Sequence, residues 1–116
     1  MRDTAQAAAV RQAIVAGNAE SGIIAAATGY ARCPAGYFCM FAGYDGGGGM
    51  AYFRNGSANL TAQGMNNSAS SFWNRASYAF RAYDGTYFTG YTDWVGAGAW
   101  NNLSWSDNKW SSLYRA

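Results

Sequence analysis

Asn66-Asn67-Ser68-Ala69-Ser70-Ser71 returns about forty residues later as Asp107-Asn108-Lys109-Trp110-Ser111-Ser112, each time just ahead of an apolar residue, Phe72 or Leu113. Asn and Asp suit tight turns and bond nearby backbone, as does Ser more weakly, so each copy reads as a turn that leads into a strand. Upstream of each copy stands an aromatic-rich segment followed by an aromatic, one residue and glycine: Tyr44-Asp45-Gly46, then Phe88-Thr89-Gly90. The same order twice predicts an internal repeat. A unit of this length supplies about four strands, and two units pack their inner faces as a sandwich.

Outward from the repeat, residues from Tyr37 onward are rich in glycine, aromatics, Asn and Ser, with short apolar runs between turn residues, the pattern of an all-β domain. Strands are expected at residues 37–41, 50–53, 79–83 and 91–95, with closing strands around Phe72 and Leu113. Gly46-Gly47-Gly48-Gly49 is expected to be a flexible hairpin tip. It opens no helix and lacks the Lys and Ser or Thr that follow in a phosphate-binding loop. The β domain is drawn as residues 33–116, with a first Greek key at about 33–75 and a second at about 76–116.

Residues 1–32 read as an arm outside the main core. Residues 4–16 are mostly good helix formers, and Val10 and Ile14 lie four apart, so a short amphipathic helix with a thin apolar stripe is expected. Such a helix is marginal in water without a surface to pack on. Gly17, Asn18 and Gly22 break the pattern around a second apolar run, Ile23-Ile24-Ala25-Ala26-Ala27. Val10, Ile14, Ile23 and Ile24 are the residues expected to anchor the arm on a partner. Met1-Arg2-Asp3-Thr4 leads into no recognisable signal peptide, and no apolar run approaches the length of a bilayer span, so no membrane role is expected.

Charge and chemistry narrow the classes further. Eight Lys and Arg against six Asp and Glu give a formal charge of +2, with the basic residues scattered singly, so no patch awaits a nucleic acid. Acid–base or triad catalysis needs a base placed beside a nucleophile; with no His, a lone Glu20 and scattered Asp, no enzyme activity is expected. Cys33 and Cys39 flank Pro34 and Gly36 at a spacing that can close a short loop by disulfide, while a zinc site would need more ligands. The pair points to an extracellular or particle-bound setting.

These motifs resemble the βγ-crystallin superfamily, whose Greek keys carry an aromatic, four residues, an aromatic, any residue and Gly, then Asn/Asp-Asn/Asp-x-x-Ser/Thr-Ser. The second half matches with Tyr83, Phe88 and Gly90 and with Asp107, Asn108, Ser111 and Ser112. The first keeps Asn66, Asn67, Ser70 and Ser71 but shortens the aromatic element to Phe41, Tyr44 and Gly46. Cys33-Pro34-Ala35-Gly36-Tyr37-Phe38-Cys39 and the tail from Trp105 to Leu113 are similar to the bacterial metalloproteinase-inhibitor branch. The resemblance implies a βγ-crystallin-like sandwich of two Greek keys over residues 33–116. For an inhibitor it also implies an exposed reactive loop bounded by a second cysteine pair, which this chain lacks.

Many members of the superfamily bind calcium, which would fall here to Asn66, Asn67, Ser70, Asp107, Asn108 and Ser111. Hard cations want roughly six or more oxygens and gain from carboxylate charge. Only Asp107 offers one, so any Ca²⁺ binding is expected to be weak, no cofactor is required, and the side chains are expected to bond the turns. Trp94 and Trp100 sit in loop-like surroundings and are expected to be exposed anchors for protein or carbohydrate, most other large aromatics being core. Two functions of different class follow. The first, placed slightly ahead, is a non-catalytic structural or interaction module: an accessory or decoration component of a phage particle or bacterial surface structure, held by the arm and open to oligomerisation. The alternative is a secreted proteinaceous inhibitor of metallopeptidases, with a weak calcium- or carbohydrate-binding module behind it. The expected partner is protein, either assembly subunits or a peptidase.

Overall fold

Two antiparallel sheets share their strands between the halves of the repeat. The computed structural model describes residues 21–24, 29–103 and 107–116. Along the described chain run β1 Ser21–Ile24, β2 Phe38–Phe41, β3 Met50–Phe53, β4 Gly56–Ser57, β5 Ser71–Asn74, β6 Phe80–Tyr83, β7 Thr92–Val95, β8 Trp100–Asn102 and β9 Ser112–Arg115. One sheet has the order β1-β3-β2-β5-β8 and the other β4-β9-β6-β7. The first Greek key is β2 to β5 and the second β6 to β9, and each lends its third strand to the other's sheet: β4 pairs with β9, β8 with β5. Neither key is complete alone. The all-β, βγ-crystallin-like sandwich expected from the repeat is the observed architecture.

Residue pattern explains which faces are buried. In β6, Phe80 and Ala82 are buried while Arg81 and Tyr83 are partly exposed, the alternation of a strand covered on one side. The β2 stretch Phe38-Cys39-Met40-Phe41 has no polar alternation and is buried throughout, because both of its faces are covered. Phe38 and Met40 join the core between the sheets with Phe53, Phe80, Trp110 and Leu113. There the Phe38 ring lies 4.8 Å from Phe80 and 6.1 Å from Trp110. The Trp110 indole is satisfied by donating to Asp93 Oδ2 at 2.8 Å. Cys39 and Phe41 belong to a second cluster with Cys33 and Met50, closed by half-buried Tyr30, Tyr37, Tyr52 and Trp73. Cys33 and Cys39 are joined as a disulfide with their Cα atoms 5.8 Å apart.

Three expectations change. Residues 21–24 are not apart from the β body: β1 lies antiparallel to β3 with Ile23 opposite Ala51 and Ile24 opposite Met50, so the sheet begins ahead of the boundary drawn at Cys33. Val10, Ile14 and the helix expected at residues 4–16 lie outside the described residues. Second, the glycine run is no free hairpin tip. Tyr44–Gly46 forms a 3-10 turn, and Gly46 is buried at φ +72°, where a Cβ would come within 2.6 Å of the Tyr30 backbone nitrogen. Gly29 N donates to Gly46 O at 2.8 Å, and the Arg32 guanidinium donates to Gly46 O at 2.7 Å and Gly48 O at 2.9 Å. Residues distant in sequence hold the run down, which its own composition does not reveal. Third, β4 and β8 were absent from the expected strands; they are too short for periodicity to mark them. Among the described residues no helix is long and apolar enough to cross a membrane.

Replacing both Cys33 and Cys39 with alanine should lower unfolding stability by about 2 kcal/mol, the loop-closure value for so short a ring. The denaturant midpoint measures this, and an unchanged midpoint would show that the bond constrains nothing.

Candidate functional site

Each signature turns at its second residue, with Asn67 at φ 54° and Asn108 at φ 59°, a left-handed conformation that short amide side chains tolerate. Strand exchange then sets the two turns against each other. Asn67 N donates to Trp110 O and Asn108 N to Ala69 O, each at 2.9 Å. The side chains cross in the same sense: the Ser111 hydroxyl donates to Asn67 Oδ1 at 3.1 Å and the Ser70 hydroxyl to Asn108 Oδ1 at 3.2 Å. Asn67, Ser70, Asn108 and Ser111 thus bond the turn of the opposite copy rather than their own.

Two oxygens are left over. Asn66 Oδ1 and Asp107 Oδ1 hold the same place in the two signatures, and both oxygens are buried with no hydrogen-bond partner among the described residues. An acceptor in that state is unfavourable unless something binds it. The other Asp107 oxygen, Oδ2, accepts from the Tyr44 hydroxyl at 2.7 Å. The hydroxyls of Ser70 and then Tyr44 hold the Asp107 carboxyl below its ordinary value, against desolvation. The bond to Asp107 raises the Tyr44 phenol, with desolvation and the carboxylate charge acting in the same direction. This all-oxygen set suits a hard cation, although it contains one carboxylate. Among the described residues no three His, Cys, Asp or Glu cluster as metal ligands.

Trp94 and Trp100 are exposed, at 52% and 62%, but on the edge strands β7 and β8 rather than in loops. Arg81 stacks on the Trp94 ring at 4.8 Å. Between the two tryptophans, Ala97 and Gly98 form an exposed turn tip. The turn hangs from Asn74, which is fully buried at the end of β5. Asn74 Nδ2 donates to the carbonyls of Tyr78, Val95 and Gly96 at 3.0, 3.3 and 3.1 Å. The backbone adds Asn74 N to Ala99 O and Gly98 N to Asn74 O, each at 2.8 Å. Asn74, Tyr44 and Tyr30 were not singled out as site residues. Nothing adjacent in sequence marks them, because most of their partners lie far along the chain.

Two Greek keys that exchange their third strands and face their signature turns toward each other define a crystallin-type domain, and solved structures agree. The βγ-crystallin of Ciona intestinalis matches with a TM-score of 0.64 and 21% identity, covering 70% of this chain and 100% of its own. A structure from work on the evolution of the eye lens βγ-crystallin domain fold matches with a TM-score of 0.69 and 15% identity, over 82% and 97% of the two chains. The N-terminal domain of Protein S matches with a TM-score of 0.61 and 24% identity, over 69% and 94%. At these identities the likeness is one of fold. The model of peptidase inhibitor family I36 matches residues 26–95, and the chain belongs to that family. No curated protein sequence matches it. The family and the crystallin fold are of non-catalytic kinds.

Because the folded state lowers the Asp107 carboxyl, the fold favours the ionised form. That contribution is complete above the ordinary carboxylate range and is lost as pH falls through the lowered value. Asp107→Asn should therefore reduce the melting temperature at neutral pH, with the difference from wild type vanishing as pH falls through that lowered value. A difference of constant size across that range would mean that the charge has no part in it.

Proposed function

We propose that this protein is an extracellular inhibitor of metallopeptidases that presents the turn at residues 96–98 to its target. The observation that carries the reading is the family I36 match over residues 26–95. A protein inhibitor gains affinity when its contact segment is already ordered, because ordering it on binding costs free energy. Inhibitors of the resembled branch imply a second cysteine pair for that purpose. Here the Asn74 amide and the two backbone bonds restrain the ends of the turn instead. Exposed Trp94, on the strand that leads into the tip, serves as its aromatic anchor. The Cys33–Cys39 bond suits an oxidising, extracellular compartment. The family match favours this reading over that of an assembly decoration component held by an N-terminal arm.

Titrating a thermolysin-like metallopeptidase with the purified protein should give stoichiometric loss of activity. Ala97→Glu, at the exposed tip, should leave the melting temperature unchanged and weaken inhibition roughly tenfold or more. Undiminished inhibition by the variant would place the contact elsewhere on the surface. If no metallopeptidase is inhibited while serine and cysteine peptidases are tested alongside, the reading fails.

A second reading rests on the two unpaired oxygens. Asn66, Asn67 and Ser111 on one side, and Asp107, Asn108 and Ser70 on the other, would each hold a weakly bound calcium ion. The ion would supply the missing partner for the buried oxygen and brace the junction between the halves. Millimolar Ca²⁺ should then raise stability by about 1 kcal/mol, seen as a rise of a few degrees in melting temperature, and Asp107→Asn should diminish the rise. A melting temperature indifferent to Ca²⁺ would leave the signatures as structural turns.

A further inference from the structure

The outer face of β8 carries chemistry that peptidase inhibition leaves unused. Tyr30, Trp73 and Trp100 line an open hollow of about 290 Å³. Trp73 and Trp100 are register partners across β5 and β8. Tyr30 stands edge-on to both, 5.3 Å and 66° from Trp100 and 6.4 Å and 88° from Trp73. Asn102 lies two residues beyond Trp100, on the same face of the strand and about 7 Å further along it. It is exposed and doubly paired with exposed Asp45: Asp45 N donates to Asn102 Oδ1 at 2.7 Å, and Asn102 Nδ2 donates to Asp45 Oδ1 at 3.0 Å. Asp45 belongs to the 3-10 turn whose Gly46 is packed against Tyr30.

The surroundings decide what such a face can hold. Rings set at right angles suit a cation, but the Arg75 guanidinium lies 4.7 Å from the Trp73 ring and that of Arg32 5.3 Å from the neighbouring Phe41 ring, so a cation would meet like charge. An anion would find those guanidinium groups engaged by backbone carbonyls, Arg32 with Gly29, Gly46 and Gly48, and Arg75 with Cys33. An apolar side chain would fill the hollow and leave Asp45 and Asn102 without a role. A neutral sugar uses the whole face. Its C–H side lies on an indole, its hydroxyls donate to the Asp45 carboxylate, and they accept from the remaining Asn102 amide hydrogen.

We propose that Tyr30, Trp73, Trp100, Asp45 and Asn102 form a binding site for a neutral polysaccharide, with one pyranose ring seated against Trp100. The site is distinct from the tip at residues 96–98, so one molecule can be retained on a glycan surface while its turn stays free.

The test titrates soluble oligosaccharides of the cello, xylo, manno and chito series at millimolar concentration, following tryptophan fluorescence, with electrophoresis through gels containing the parent polysaccharides. At least one series should give a saturable response. Trp100→Ala, at an exposed position, and Asp45→Asn, which keeps a residue suited to φ 55°, should each weaken it roughly tenfold with unchanged melting temperatures. Tyr91→Ala, exposed beside the opposite sheet, should bind as wild type. No response to any series overturns the proposal, as does binding that ignores both substitutions. Loss of peptidase inhibition in Trp100→Ala without any glycan response also overturns it and assigns the face to a protein contact. Glycan binding is read without a peptidase present, so failure here is separate from failure of the inhibitor reading.

Discussion

The exchange of third strands is the constraint on which the other features depend, and the backbone locks it by the same bonds in both halves. Leu60 N donates to Ser111 O and Leu103 N to Ser70 O; Ser70 N donates to Phe41 O and Ser111 N to Tyr83 O, each at 2.8 Å. Corresponding residues making corresponding bonds are what a two-fold relation between the halves requires. Each of these serines ties its N–H to the first strand of its own key and receives an N–H from the other key at its carbonyl. Their hydroxyls go to Asn67 and Asn108. Both serines are buried, so an apolar replacement would fill the space but leave an amide oxygen unpaired, at about 1–3 kcal/mol.

The same exchange builds both surfaces to which function is assigned. Delivery of β8 to the first key's sheet sets Trp100 beside Trp73 and Asn102 beside Asp45. It also brings the turn at residues 96–98 onto Asn74, the last residue of β5. Neither surface exists in one key alone. Stability of the sandwich and the geometry of its contact faces are therefore one property, and loosening the junction between the signatures would blur both.

How much of this could be read from sequence follows from the range of the interactions concerned. The repeat was legible because a turn at Asn67 or Asn108 is set by local backbone preference, and the βγ-crystallin fold is what the resemblance carried by those turns and the aromatic–glycine elements implies. Exposure of Trp94 and Trp100 was legible from polar and glycine neighbours, although their placement on strands was not, since β8 is three residues long. Asn74 was silent. Two of the three carbonyls that its buried amide meets lie more than twenty residues away, and no local pattern carries that. The Tyr30, Asp45 and Asn102 grouping was silent for the same reason. The assignment of residues 1–32 to an arm went astray at Ser21–Ile24 because a short strand on a sheet edge reads, in isolation, like any apolar run.

The two keys are unequal, and the inequality has a physical cause. In the second, the full aromatic element supplies its own cover: Tyr83 and Phe88 pack with Tyr114, the rings 5.3 to 6.1 Å apart. Asp84 Oδ1 accepts from Tyr91 N to close that hairpin. In the first key the element is shortened, and the segment ahead of Cys33 provides the cover in its place. Tyr30 lies edge-on to Phe41 at 5.2 Å, and Arg32 clamps the carbonyls of Gly46 and Gly48. Tyr44, relieved of the packing task that Phe88 performs in the other half, is 54% exposed and reaches across to Asp107. A shortened motif thus converts a core aromatic into a link between the glycine turn and the opposite signature. That link ends on the one carboxylate of the paired signatures, so the charge state of Asp107 bears on the first key's hairpin as well as on the junction itself.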